Sequence, residues 1–215
     1  MVEVSRLRSN ALETYKETQQ KRLMNGHKII NQNALHYMTF TVVGWIDVFS
    51  RKAYKDVLIE TMRYCIANKG LSLHVYVIMS NHMHVIMSAK EGHRLSDIVR
   101  DFKKYTATSI IDMILTNKEE SRSEWMLKLF KYYAKYNKNS TKYQFWVQDN
   151  RPIELNSPKW INQKLAYIHL NPVRAGIVDK AEDYLYSSAG RYIGEVGQIE
   201  LELLDIGSTE GYIDL

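Results

Sequence analysis

Two apolar runs separated by a polar pair form the clearest pattern in the chain, between residues 71 and 88. The break is Ser80-Asn81, and short apolar runs joined by such a pair are typical of a β-hairpin. Residues 35–43 are rich in Thr, Val, Phe and Tyr and predict a further strand. The pattern therefore predicts at least three strands.

Helical periodicity appears between and after these strands. It predicts helices from about residue 51 to 69, ended by Gly70, from about 94 to 116, and from 124 to 136. A short aromatic run, residues 143–147, predicts another strand. Helices interspersed with a few antiparallel strands indicate an α+β domain in which helices pack on a sheet.

One more helix is predicted by its end signals. Asn156 or Ser157 can cap it, Pro158 suits its first turn, and Asn171-Pro172 disfavours its continuation. The buried stripe is expected at Ile161, Leu165 and Ile168. A neighbouring stripe contains Trp160, Lys164, Tyr167 and Asn171, so a tyrosine hydroxyl and an amide oxygen lie one turn apart.

The chemistry-bearing feature of the hairpin is a pair of histidines, His82 and His84. Residues i and i+2 of a strand project from the same face, so the two imidazoles are expected side by side, at a spacing that suits a shared metal ion. Most such pairs are not ligands, and the second feature that strengthens this one is the Tyr167 helix.

Composition narrows the function classes. The chain has 215 residues, 45% of them hydrophobic, which is enough for one domain with a proper core. A single cysteine, Cys65, fits a reducing cytoplasm, and we expect no membrane partner because no apolar run reaches the length of a membrane span. The net charge is +5, yet residues 195–215 contain six acidic residues and no Lys or Arg, so the rest carries +11 and favours an anionic partner.

Taken together, these segments resemble the single-tyrosine HUH transposases (His, hydrophobic residue, His), and most closely their branch associated with bacterial palindromic (REP) repeats. The resemblance covers about residues 34–192 and rests on residues 79–84 (MSNHMH), 167–178 (YIHLNPVRAGIV) and 184–189 (YLYSSA). It implies a ferredoxin-like antiparallel sheet with the HUH motif on a strand and the nucleophilic tyrosine on a helix.

The resemblance also implies residue roles. His82, His84 and Asn171 would bind Mg²⁺ or Mn²⁺, and Tyr167 would attack a DNA phosphate to form a 5′-phosphotyrosine intermediate. Such an enzyme nicks and rejoins single-stranded, hairpin-containing DNA. The family contains both dimers and monomers, and the sequence leaves that choice open.

Basic residues supply the expected nucleic-acid contacts. Lys164 lies one turn before Tyr167, and Arg174 comes just after Asn171-Pro172. Lys103 and Lys104 lie in the 94–116 helix, and Lys131 and Lys135 lie in an insert, residues 118–150, that mixes basic and aromatic residues. An ordinary solvated helix face with core aromatics explains that insert equally well.

Two other functions remain open at this point. The chain could be a non-catalytic, domesticated protein that binds nucleic-acid hairpins, or a phosphoesterase that uses water instead of Tyr167. We divide the chain into an N-terminal extension (1–33), a catalytic domain (34–194) and an acidic tail (195–215), which we expect to be solvated.

Overall fold

The structure is a computed structural model and describes residues 28–137 and 142–205. Its sheet has four antiparallel strands in the order β2-β3-β1-β4. The strands are β1 (His36–Thr41), β2 (Leu71–Ile78), β3 (His82–Ala89) and β4 (Ile153–Glu154). The predicted α+β class is confirmed, and the strand order is that of a ferredoxin-like sheet.

Six helices accompany the sheet in the described part of the chain. They are α1 (Lys52–Asn68), α2 (Leu95–Thr116), α3 (Ser123–Ala134), α4 (Pro158–His169), α5 (Asn171–Arg174) and α6 (Ala189–Tyr192). Short 3₁₀ turns lie at Val43–Trp45, Val48–Ser50 and Ala181–Asp183. The first four helices match the predicted ones to within about two residues.

The two faces of the sheet carry different helices. Helices α1 and α2 pack on one face through a large apolar cluster that includes Met38, Phe40 and Val85. Helix α4 packs on the other face through Leu165 and Ile168, which contact a cluster containing apolar side chains of β1, β2 and β3. Because side chains alternate between faces, every second residue of β1 and β3 faces α4.

The pairing register places the histidines opposite β1. His84 pairs with Thr39 and His82 pairs with Thr41. Residues directly opposite each other in antiparallel strands have neighbouring side chains, so side chains of β1 lie next to the histidine pair. The hairpin turn lies at Ser80-Asn81, as predicted.

The strand predicted at residues 143–147 is wrong. Only an isolated bridge forms there, between Trp146 and Val42, and β4 forms instead at residues 153 and 154. Phe145 and Trp146 are buried, and their aromatic rings pack in the core next to Phe49. The aromatic composition therefore reflects burial of a loop and not a paired strand.

Part of residues 195–205 packs against the domain, whereas the acidic side chains of this segment, Glu195, Glu200, Glu202 and Asp205, are exposed as expected for a solvated tail. Ile199 is buried in the main core, and the backbone N–H of Glu202 donates to the carbonyl of Leu73 at 3.1 Å. The hydroxyl of Ser72 donates to the Glu202 carboxylate at 3.0 Å. These contacts cover the outer edge of β2 near Ser72 and Leu73, and residues 186–188 pair with the same edge further along, at Tyr76 and Ile78. The rest of the tail and residues 1–27 of the predicted N-terminal extension lie outside the described residues.

Candidate active site

The histidine pair lies at the start of β3, on the face that α4 covers. The ring centroids of His82 and His84 are 4.8 Å apart. His84 is buried, whereas His82 is half-buried at the end of the strand. The side-by-side arrangement predicted from the spacing is therefore present.

Oxygen atoms engage the same nitrogen of each imidazole. The Nδ1 of His84 lies 2.9 Å from the hydroxyl oxygens of both Tyr37 and Thr39, and the Thr39 hydroxyl also donates to Tyr37 at 3.3 Å. The Nδ1 of His82 lies 2.7 Å from Oδ1 of Asn81. With Nδ1 donating in both rings, each Nε2 keeps its lone pair for another partner. This is the arrangement by which outer-shell oxygens orient metal-binding histidines.

Both imidazoles are held in the neutral form. Burial lowers the pKa of His84 to about 3, and the nearby ammonium of Lys164, together with His82 whenever His82 is protonated, lowers it further. Burial also lowers the pKa of His82. A neutral imidazole has the free lone pair that a metal ligand requires.

Tyr167 lies on α4, close to the histidines. Ser157 caps this helix by accepting from the N–H of Trp160 at 3.4 Å, and Leu165 and Ile168 anchor it to the sheet. The Tyr167 ring is 5.3 Å from the ring of His84 and remains 37% exposed. A buried stripe therefore fixes the helix while the Tyr167 side chain stays partly exposed.

Two cations surround the Tyr167 ring. The ammonium of Lys164 lies 5.8 Å from the ring centroid, and the guanidinium carbon of Arg174 lies at the same distance. Lys164 also lies 4.6 Å from the centroid of the Tyr37 ring. Positive charge is thus concentrated around the Tyr167 ring.

Asn171 begins α5, directly after the Tyr167 helix. Backbone hydrogen bonds from Leu170 to Ala166 and from Arg174 to Leu170 carry the helical path across the junction. Asn171 therefore follows Tyr167 by one helical turn, as predicted. Its role as a metal ligand stays a prediction.

Lys103 lies away from this group and has a different set of partners. Its ammonium donates to the carbonyl of Val147 at 2.7 Å, to that of Gln148 at 3.3 Å and to Oδ1 of Asn150 at 2.6 Å. Burial lowers the pKa of Lys103 to about 8. These contacts tie the loop before β4 to α2, which gives Lys103 a structural role whether or not it touches DNA.

The remaining predicted nucleic-acid residues are exposed. Lys104 lies in a groove between α1 and α2, on the face of the sheet opposite α4. Lys131 and Lys135 lie at the C-terminal end of α3, which contacts α2 and the Val43–Trp45 turn. The structure therefore brings Lys164 and Arg174 to the histidines and Tyr167, and places the other basic residues on separate helices.

The donor set around the histidines fits a divalent metal. Two neutral imidazole nitrogens with oriented rings are present, and among residues 28–137 and 142–205 no third His, Cys, Asp or Glu completes a cluster with them. An amide oxygen together with water and phosphate oxygens would then complete the coordination. A mixed set of this kind suits Mn²⁺ or Mg²⁺.

Sequence reasoning missed Tyr37 and Thr39, which hold His84 in place. They lie two residues apart in β1 and so share a face, but only the register with β3 brings them to His84. It also missed Trp45, whose ring lies 5.9 Å from the ring of His82. An exposed tryptophan in a turn next to Gly44 is the signal that could have drawn attention to it.

The fold and the histidine pair agree with a comparison to known families. The family model described as IS200-like transposase matches residues 31–143, more than half of the chain. The chain therefore belongs to this family, within the HUH tyrosine transposase superfamily. The matched residues include His82 and His84 and end before Tyr167.

One solved structure of a transposase shares this fold. The chain is similar to a REP-associated tyrosine transposase bound to a REP hairpin, with 16% identity, a TM-score of 0.56, and coverage of 84% of this chain and 92% of the other. A putative transposase from Deinococcus radiodurans R1 shares 16% identity over 47% of this chain and 93% of its own, with a TM-score of 0.32. None of the curated proteins compared with the chain matches it. No described helix has the length and apolar character needed to cross a membrane.

Proposed function

We propose that this transposase nicks and rejoins single-stranded DNA next to a hairpin, with Tyr167 as the nucleophile. The observation that carries the proposal is the position of the His84 ring, 4.8 Å from the ring of His82 and 5.3 Å from that of Tyr167. The candidate metal ligands and the partly exposed Tyr167 side chain therefore share one surface. The hairpin is proposed because the structurally similar transposase is bound to one.

In the nicking step, the phenol oxygen of Tyr167 attacks the scissile phosphorus. A new bond forms between that oxygen and phosphorus, the bond from phosphorus to the 3′ oxygen breaks, and the phenol proton leaves to solvent. The departing 3′ oxygen takes up a proton, and the 5′ phosphate stays attached to the tyrosine. Because one phosphoester replaces another, a 3′-OH of a second strand can reverse the step and rejoin the DNA without added nucleotide.

The other residues of the site stabilise developing negative charge and position the reacting groups. Lys164 and Arg174 lie where negative charge develops on the phenol oxygen and the phosphate. His82, His84 and Asn171 would hold Mg²⁺ or Mn²⁺, which when bound would polarise and orient the phosphate. Tyr37, Thr39 and Asn81 keep the imidazoles in the orientation that leaves each Nε2 available.

The test is covalent capture. End-labelled hairpin DNA with single-stranded flanks from the genomic neighbourhood is incubated with Mn²⁺ or Mg²⁺ and run on a denaturing gel. We expect a shifted protein–DNA band that requires metal and disappears in Tyr167→Phe. The matched control is Tyr105→Phe, another exposed tyrosine on a helix, which should retain the band.

Two other results would replace the proposal. Tight hairpin binding without any adduct would support a non-catalytic hairpin-binding protein. Cleavage products that form without an adduct and persist in Tyr167→Phe would support a phosphoesterase that uses water.

A further inference from the structure

Trp45 is an unusual surface residue beside the histidine pair. Its side chain is 68% exposed, its backbone has a φ of 56°, and its ring lies edge-on 5.9 Å from the His82 ring. Bulky residues rarely adopt a positive φ, and such strain persists where the surrounding structure enforces it. Here the Asn81 side chain donates to the Trp45 carbonyl at 3.3 Å, so the hairpin turn that carries His82 also holds Trp45.

Helix α3 extends this surface. The ring of Tyr133 packs directly on Gly44, where a Cβ atom would lie 2.8 Å from it. The rings of Tyr133 and Tyr132 are 5.5 Å apart, and those of Tyr132 and Tyr136 are 5.2 Å apart. We name the series Trp45, Tyr133, Tyr132 and Tyr136 the aromatic track; it begins at the histidine pair and continues along α3.

The outer face of α3 carries apolar side chains that do not pack in the core. Its core side is formed by Met126, Phe130 and Ala134, which are buried. The opposite stripe recurs at i, i+4, i+7 and i+11 and is exposed; its members are Trp125 (40% exposed), Leu129 (36%), Tyr132 (50%) and Tyr136 (74%). An exposed apolar stripe of this length marks an interaction surface.

Charge identifies the kind of partner. The stripe is accompanied by three exposed lysines, Lys128, Lys131 and Lys135, while Glu124 is the one acidic residue of α3. Lysines that alternate with exposed aromatic rings fit a polyanion with unpaired planar bases, because the lysines neutralise phosphates and the rings stack on bases. A protein partner would not require this combination.

We infer that the aromatic track binds the single-stranded flank of the DNA substrate, with Trp45 stacking on the unpaired base next to the phosphate at His82 and His84. Tyr132 and Tyr136 then stack on bases further along the strand, and the lysines of α3 contact its phosphates. This inference rests on the proposed function for the position of the phosphate. It adds a binding surface that determines which DNA flank is held.

The test compares two DNA probes by fluorescence anisotropy, in a Tyr167→Phe background so that no adduct contributes. One probe is a labelled hairpin with a single-stranded oligothymidylate extension of about 8 nucleotides, and the other is the same hairpin without the extension. The ring-deleting variant is Trp45→Gly, because glycine adopts the positive φ without strain. Tyr132→Ala/Tyr136→Ala is the second variant, and Tyr64→Ala/Tyr105→Ala, exposed tyrosines of α1 and α2, is the matched control.

We expect Trp45→Gly to weaken binding of the extended hairpin by about 5- to 150-fold, the range measured for loss of one stacked base. Binding of the hairpin without extension should be unchanged, and the control pair should bind both probes like the parent protein. Trp45→Phe should recover most of the affinity.

Equal losses on both probes, or a parent protein that binds both probes equally, would overturn the inference. Its failure is distinguishable from failure of the proposed function, because the assay does not depend on cleavage. A preference for the extended hairpin that requires Trp45, in a protein that forms no adduct, would support the aromatic track as a DNA-binding surface and would contradict the proposed nuclease activity.

Discussion

The hydroxyl oxygen of Tyr37 lies 2.9 Å from Nδ1 of His84, and the two rings are stacked with centroids 5.6 Å apart. The contact joins adjacent strands, since Tyr37 is on β1 and His84 on β3. Burial raises the pKa of Tyr37, so its hydroxyl stays protonated and acts as a neutral hydrogen-bonding group. The Tyr37 hydroxyl and ring therefore fix the orientation of the imidazole.

Tyr37→Phe should weaken Mn²⁺ binding by about 10-fold, the lower end of the effect of removing a partner of a metal-binding histidine. Thr39 still contacts Nδ1, which limits the loss. Isothermal titration with Mn²⁺ measures the effect, and Tyr37→Phe/Thr39→Val should lose more than the single variant. The control is Tyr186→Phe, whose hydroxyl bonds Asp56 and not a histidine. Unchanged Mn²⁺ affinity in the double variant would show that these hydroxyls do not orient His84 for a metal.

Lys164→Gln should slow formation of the tyrosine–DNA adduct by about 100-fold, because it removes one of two cations beside the ring of the attacking tyrosine. Lys159→Gln is the matched control, since Lys159 lies on the same helix and is exposed. Single-turnover rates of adduct formation at saturating DNA separate this effect from binding. If Lys159→Gln slows the reaction as much as Lys164→Gln, general charge and not the position of Lys164 is responsible.

Glu120 is a buried carboxylate that links α1 to the start of α3. It accepts from Tyr54 at 3.1 Å, Arg51 at 2.6 Å and Arg122 at 3.0 Å. Burial opposes its ionisation, but the hydrogen bonds from Arg122, Tyr54 and Arg51 outweigh burial and lower its pKa from 4.5 to about 2. Glu120→Gln should reduce the free energy of unfolding at pH 7 by about 3 kcal/mol, because two arginines lose their charged partner.

The pH dependence of that difference has a definite sign. A carboxylate whose pKa is lower in the folded state than in the unfolded chain stabilises the fold at pH values above its unfolded-state pKa. This stabilisation is lost as pH falls from about 4.5 towards 2. Urea unfolding of the parent protein and Glu120→Gln should thus differ most near neutral pH and converge near pH 2. Glu119→Gln, a neighbouring exposed carboxylate, should not differ from the parent at any pH.

Lys103→Met should destabilise the fold more than it affects DNA binding. The substitution removes the ammonium that joins two surface carbonyls and the part-buried Asn150 side chain to α2, and because water can reach these acceptors we expect a loss of about 1 kcal/mol in the free energy of unfolding. Lys104→Met, at the adjacent exposed position, should leave stability unchanged. Urea midpoints and hairpin affinities for both variants make the comparison. A stable Lys103→Met protein with a large loss of DNA affinity would favour the phosphate contact expected from the sequence.

The sequence alone was sufficient for the elements with strong local signals. Helix α4 is defined by Ser157, Pro158 and its buried stripe, and the hairpin by apolar runs on either side of Ser80-Asn81. Strand β4 could not be predicted, because it has two exposed residues and exists only through its pairing with β1. The aromatic run at 143–147 wrongly predicted a strand, because these aromatic residues are buried in the core without being paired as a strand.

The candidate site divides in the same way. Residue spacing determined that His82 and His84 share a face and that Tyr167 and Asn171 lie one helical turn apart, because the periods of strands and helices are fixed by backbone geometry. Only the tertiary structure brought the two groups together and placed Tyr37 and Thr39 next to His84. It also decided that Lys103 binds the loop before β4 and that Trp45 lies beside His82. Those relationships join residues distant in sequence, and they depend on strand register and on which face of the sheet each helix covers, neither of which a local pattern specifies.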